Sequence, residues 1–335
     1  MGEDMKTIKL MIFAILLLCS TTAFANETNE EKTAEDNSPF SLSLTTDFAY
    51  YPASKSIPGG THFAPITGPY SGVEGCTTLN ASYVIDTPLG KHWLVSGANV
   101  SFNGGLELTP ISLRPKLSIT FTPVPFLIFS AGGSVGWGWN LLGIEGLCKM
   151  NKETYDYEVL STFNHPYYDV WSSVTFQFDT GALIPGDWSH VVILASYSTA
   201  YSGLAGLSQD TIFEWQCGKN RVCGWAYNAQ GVLGYQMPIP LSLAGIMFKA
   251  SGYYDGCVYG EYDETFDGAF VTINISPLLQ CKFGDKDNLT CLFDFSSRRS
   301  FEKEIEKAGE ALKTKVTGRE WYFNRFALSW THIFM

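Results

Sequence analysis

Residues 111–121 alternate without a break. Ile111, Leu113, Pro115, Leu117, Ile119 and Phe121 hold one set of positions, and Ser112, Arg114, Lys116, Ser118 and Thr120 hold the other. A period of two sends the two sets to opposite faces of a β-strand. One face is wholly apolar and the other carries hydroxyls and cations. In a soluble protein the apolar face is a core and the polar face meets water. In a membrane barrel the apolar face meets lipid and the polar face lines a lumen. Which arrangement holds for the whole chain decides its class.

The same alternation recurs along the sequence. It predicts strands over 40–50, 78–86, 93–104, 111–121, 126–139, 168–182, 191–201, 224–237, 241–254, 266–283, 289–297 and 321–335. The connections after the even-numbered strands are short, and most of those after odd ones are long. Outer-membrane barrels show this asymmetry, with tight periplasmic turns and longer outer loops. Many strands have a dozen residues or more, where soluble strands usually have about five or six and a tilted membrane crossing needs about nine to eleven. The expectation is a closed antiparallel transmembrane β-barrel of about twelve strands. Phe301, Ile305, Ala308, Leu312 and Val316 recur at helical spacing, which predicts one short amphipathic helix near 301–316 over a rim or mouth.

Composition agrees. Charged residues are 16% of the chain, against roughly 25% in globular proteins, and aromatics are 15%. The 22 Lys and Arg against 33 Asp and Glu give a net charge of −11. That balance argues against a nucleic-acid partner, which needs a basic surface. Tyr50, Trp93, Trp137, Trp139, Trp225, Tyr254, Trp321 and Trp330 fall mostly toward strand ends, where an interface favours them.

The one long apolar run is N-terminal. Lys6 and Lys9 precede Leu10 to Leu18, and Ala23-Phe24-Ala25 follows. This pattern predicts a secretory signal over 1–25, removed after Ala25. Residues 26–38 read as an acidic, disordered lead-in, and 39–335 as the barrel domain.

If the apolar faces meet lipid, the opposite faces point inward. They carry Asp47, Asp169, Asp179 and Asp294 together with Arg114, Lys116, Lys249, Lys282 and Arg325. These residues are the lumen-lining candidates. Their mixed signs fit an ion-paired interior or a narrow channel that tunes the passage of a small solute. Arg114 and Lys116, neighbours on one face, form the best candidate for a cationic wall. Ser189 and His190 are adjacent in a predicted turn, so their side chains should diverge, and no catalytic constellation emerges. No spacing suggests a metal or any other cofactor. Cys217 and Cys223 could close a small outer loop. Cys281 and Cys291 flank the turn at 284–288, and pairing of Phe283 with Leu289 would set them directly opposite. They could form a disulfide or remain two small apolar residues facing lipid.

The secretory signal, the paired strands and the final stretch FNRFALSWTHIFM resemble bacterial outer-membrane β-barrel proteins. The acidic loops and scattered cysteines are similar in texture to treponemal, that is spirochaete, outer-membrane proteins. In that class the last strand alternates and ends in an aromatic that the insertion machinery reads. Phe326, Leu328, Trp330 and Phe334 fit this pattern, while His332 and Met335 depart from it. The resemblance implies outer-membrane lipid as the surroundings and insertion through that machinery. Three functions stay open. They are a porin-like channel or transporter for small or hydrophobic solutes, a structural or surface-interaction barrel, and a soluble secreted β-sandwich.

Overall fold

The computed structural model describes residues 38–92, 94–208, 211–254, 269–312 and 314–335. The expected signal over 1–25, the lead-in up to residue 37, Trp93 and the start of the strand expected at 266 lie outside these residues.

Twelve long strands follow one another: β1 (Phe40–Ala53), β2 (Gly68–Asp86), β3 (Asn99–Thr109), β4 (Ser112–Val124), β5 (Leu127–Gly138), β6 (Tyr167–Asp179), β7 (Val191–Leu204), β8 (Gly224–Gln236), β9 (Leu241–Tyr253), β10 (Thr272–Phe283), β11 (Asp287–Phe301) and β12 (Val316–Ile333). Each pairs antiparallel with its sequence neighbours. Ser43↔Ile333 through Tyr50↔Phe326 join β1 to β12 and close the sheet. The result is an all-β closed barrel that leaves no long strand as an edge.

Register confirms the faces read from the alternation. On β4, Ser112, Arg114 and Thr120 point inward and are buried, while Leu117, at 73% exposure, and Ile119 point outward. Phe48, Leu79, Phe102, Phe129, Val170, Ile193, Leu233 and Phe248 continue the apolar exterior around the barrel. The interior holds Thr45, Ser82, Asn103, Thr175, Gln230 and Thr290, all buried. Several are joined across strands, as in Thr45 to Thr331 at 3.1 Å and Ser82 to the Asn103 side-chain oxygen Oδ1 at 2.7 Å.

Some boundaries differ from expectation. The third strand starts at Asn99, because the Thr87 N–H donates to the Ala98 carbonyl and the Leu89 N–H to the Val95 carbonyl just ahead of it. The β3–β4 link, on the long-loop side, is only Pro110 and Ile111. The expected helix near 301–316 is absent among the described residues. Phe301 instead ends β11, and only Ala308–Leu312 turns, as a 3₁₀ segment. An isolated helix of that length is marginal in water. Here its apolar residues are claimed by different partners: Phe301 and Val316 pair in the β11–β12 ladder, and Leu312 packs against Met150, Ile212 and Val222.

Loops on the side of the long connections build a second, smaller sheet. Leu147–Met150 and Tyr157–Val159 come from the β5–β6 loop, and Ile212–Trp215 and Gly218–Val222 from the β7–β8 loop. The β1–β2 loop adds His62–Phe63, which pairs parallel to β12 at Glu320 and Trp321 and covers the part of β12 that β1 does not reach.

Close packing across the wall rests on Gly132. A Cβ there would lie 2.6 Å from the Leu117 carbonyl oxygen and 2.8 Å from the Trp171 ring, and the backbone cannot give way. At Gly104 the nearest atom to an added Cβ is a Leu117 methyl at 3.8 Å. Gly132→Ala should therefore destabilise the barrel by about 1–3 kcal/mol, and Gly104→Ala should change it little. Urea unfolding of the two variants in detergent, followed by heat-modifiable gel mobility, checks the difference.

Candidate channel lumen

The lumen is built in layers, beginning with a cap. Trp215 reaches down from the small sheet, 1% exposed, and stacks on Tyr167 of β6 at 4.7 Å and 11°. Gly136 makes room for it, since a Cβ there would sit 2.5 Å from the indole. The next residue, Gln216, adopts left-handed backbone (φ 50°) and turns its amide into the barrel, donating to Glu107 at 2.9 Å and Ser112 at 2.8 Å. The β11–β12 loop lies on the cap. Asn220 donates to the Ala308 carbonyl at 3.1 Å, and Lys307 pairs with Asp156 at 2.8 Å. That pairing holds the Asp156 carboxyl below its ordinary range. Burial within the cap pushes the Glu214 carboxyl and the Cys148 thiol up.

Beneath the cap lie two charged knots. In the first, Arg114 donates to Asp169 and, at 2.7 Å, to Ser134, whose hydroxyl also donates to Asp169 at 2.6 Å. Glu107 pairs with Lys116 and lies 4.0 Å from Arg114. The expected cationic wall is therefore neutralised by Glu107 and Asp169. In the second knot, Asp294 accepts from Ser276 at 2.8 Å, Asn324 at 2.7 Å and Asn274 at 3.1 Å, and faces Arg325 at 3.8 Å. Arg325 also reaches Tyr51 at 3.1 Å and Glu74 at 3.6 Å.

The next layer is apolar, which inspection of single strands did not reveal. Val192, Leu194, Val232, Leu243, Met247, Leu278 and Leu292 form one buried cluster on the β7–β11 side. Polar groups stand beside this cluster. His190 meets Asp179 at 2.8 Å, both buried, with Asp179 paired to Val192, and Gln280, 1% exposed, is paired to Leu243.

Of the sequence candidates, the structure brings Arg114, Lys116 and Asp169 into one knot and Asp294 and Arg325 into another. Asp179 meets His190 beside the apolar cluster. Asp47 lies on the inner face of β1 opposite Cys76 and Ser329. Lys249 lines β9 between Gln230 and Asn274, and Lys282 stands at the exposed end of β10. Ser189 turns its hydroxyl to the Ile184 and Gly186 carbonyls while His190 turns to Asp179, so the two side chains diverge. Among the described residues no group of three or more His, Cys, Asp or Glu is placed for a metal ion.

Cys217, Cys223, Cys281 and Cys291 are free thiols. Gly218–Val222 runs as extended strand between Cys217 and Cys223. Five extended residues span roughly 16 Å, beyond disulfide reach. Phe283 pairs with Asp287 rather than Leu289, so Cys281 faces Leu289 and Cys291 faces Leu279. The two cysteines are thus diagonal on the outer face.

One buried group on β12 organises the first loop. Glu320 is fully buried and accepts from Ile57 N–H at 2.9 Å, from His62 Nε2–H at 2.8 Å and from Arg298, which also reaches the Ser54 carbonyl at 3.3 Å. The other nitrogen of His62 lies 2.7 Å from the Gly60 carbonyl. Both ring nitrogens face acceptors, which only the doubly protonated ring satisfies. The bond to Glu320, then that to Gly60, raises the His62 pKa, and the Arg298 charge opposes them.

No protein-family model matches the chain, and no curated protein is similar to it in sequence. In structure it is similar to an outer-membrane channel from Pseudomonas putida F1, with 11% identity, 88% of this chain and 95% of that one covered, and a TM-score of 0.45. It is also similar to the NanC porin, with 8% identity, 87% and 98% coverage and a TM-score of 0.37, and to the KdgM porin, with 7%, 88%, 99% and 0.34. The solved structures it resembles are bacterial outer-membrane barrel proteins.

Two outcomes follow from this geometry. Arg114→Met should destabilise the barrel by about 3–5 kcal/mol, because it strands buried Asp169, and adding Asp169→Leu should restore much of the loss. Urea unfolding of both variants measures this. For His62, the stabilisation is fully present below about pH 6.5 and is lost as pH climbs through the raised value. Amide exchange over residues 57–63, corrected for its intrinsic pH dependence, should quicken as pH rises above about 6.5 through that raised value, and His62→Gln should flatten the dependence.

Proposed function

We propose that the chain is a bacterial outer-membrane barrel that admits small solutes through a capped polar lumen. One observation carries the reading: the closed barrel wears its apolar side chains outside and its paired charges and amides inside. A soluble barrel reverses this, since monomers rarely expose apolar patches beyond a few hundred Å². Lipid reverses the rule, and every backbone group that faces it must be paired within the sheet. The strands support the reading by their length, 11 to 19 residues. The signal read over 1–25 would deliver the chain for export, and the terminal strand with Trp330 and Phe334 would present it to the insertion machinery.

In this reading the cap is the gate. Trp215 and Gln216 hold it through one aromatic stack and two hydrogen bonds. Lifting it would uncover Glu107, Arg114, Lys116 and Asp169, the first charged residues a solute would meet. Charges of both signs at a constriction tune passage by electrostatic barrier and hydration exchange.

Replacing 147–159 and 212–222 by short Gly-Ser linkers should leave the barrel folded and raise its single-channel conductance in planar bilayers well above that of the intact chain. A folded, capless barrel that stays electrically silent would remove the channel.

A further inference from the structure

Two barrel ladders are interrupted while their register stays constant, and each break falls at a proline inside a strand. Between β4 and β5, pairing holds at Leu113↔Trp137 and resumes at Lys116↔Ser134, skipping Arg114 and Pro115. Between β10 and β11 it holds at Ile275↔Phe295 and resumes at Leu278↔Leu292, skipping Ser276 and Pro277. Proline has no N–H to give the opposite carbonyl, so in sheets it is ordinarily confined to edges and bulges. A closed barrel has no edges. In hydrocarbon, each backbone group so deprived costs several kcal/mol.

The two breaks differ in what backs them. Behind Pro115 stand Arg114, bonded to Ser134 and Asp169, and Trp215 against Gly136. That break is sealed by a charge knot and an indole. At the Pro277 break, the Ser276–Asp294 contact marks the upper side and Leu278 and Leu292 the lower side. The last two belong to the apolar lumen cluster with Leu243 and Met247. The ladder on the other side of β11 also shifts register beside Asp294 and Phe295, where Asn324 of β12 is the extra residue. The outer aromatic contacts Phe293–Phe326 and Phe295–Phe323 clasp β11 to β12.

Taking the chain to span a membrane as proposed above, we infer that small apolar solutes leave the lumen sideways, between β10 and β11 at Pro277, into the bilayer. The apolar cluster receives the solute below the charged knots, and the weakened ladder beside it opens to lipid. No covalent step is involved, and transfer of the apolar solute out of water and into hydrocarbon is the driving process.

The test uses the full chain with Cys281→Ser and Cys291→Ser, expressed in Gram-negative cells. The probe is N-phenylnaphthylamine, an apolar dye that intact outer membranes admit slowly and that fluoresces once in the bilayer. Cells with the barrel should take up the dye several-fold faster than cells without it. Pro277→Val supplies the missing N–H and should return uptake to background while ion conductance of the capless barrel persists. Pro277→Cys with Phe293→Cys gives a control within one folded molecule: oxidation should stop dye entry and reductant should restore it. Uptake unchanged by Pro277→Val, or by oxidation of a staple shown to have formed, would overturn the lateral route. A silent capless barrel that still admits dye through an unstapled wall would remove the axial channel and leave the lateral route standing.

Discussion

The ladder between the first and last strands is the constraint on which the rest of the molecule depends. Ser43 to Tyr50 pair antiparallel with Ile333 to Phe326, and Leu42 exchanges hydrogen bonds with Phe334 and Met335 at 2.9 and 2.8 Å. Without that join, a sheet with an apolar face this wide would carry two open edges and would pair with other chains. With it, each long strand has two neighbours and the inner face becomes an enclosed space. Burial inside then comes from enclosure, which is why hydroxyls, amides and charges can be buried there when they are paired.

Enclosure sets the chemistry of the interior. A charge inside the wall is far from bulk water, so it needs a partner within reach. Arg114 finds Asp169 and Lys116 finds Glu107, while Arg325 lies among Asp294, Glu74 and Tyr51. Glu320 draws three donors from β11 and the first loop, and so ties that loop over the part of the seam that β1 leaves uncovered. The apolar cluster around Leu243 and Leu278 needs no such pairing and fills the remaining volume on one side. The interior is therefore asymmetric. Charge knots lie beneath the cap, and a greasy wall follows on β7–β11. Two prolines break the ladders, and only the break at Pro277 adjoins that wall.

The cap shows how loops acquire structure when a barrel supplies a floor. Short apolar runs such as Ile212–Trp215 and Leu147–Met150 cannot stand alone as a sheet. Placed together over the mouth, they bury Phe213, Trp215 and Leu147 against Tyr167 and Leu204. The 3₁₀ turn at Ala308–Leu312 joins them because Leu312 finds Met150, Ile212 and Val222 there. A helical spacing in the sequence was thus spent on three separate partners.

Period-two alternation determined the strands, their number and the face each side chain takes, because side-chain direction in a strand is a local property of the backbone. It placed Arg114, Asp169 and Asp294 on the inner face from their own neighbours alone. Tertiary structure alone decided which of them meet. Arg114 and Asp169 are 55 residues apart, and their contact depends on the summed register of two ladders. The same holds for Gln216 on Glu107, 109 residues away, and for Glu320 on His62, 258 away. Even the short turn after β10 shows the limit: a register shift moved Cys281 and Cys291 from opposed to diagonal. Faces follow from single strands, whereas contacts follow from how closure aligns strands that the sequence leaves far apart.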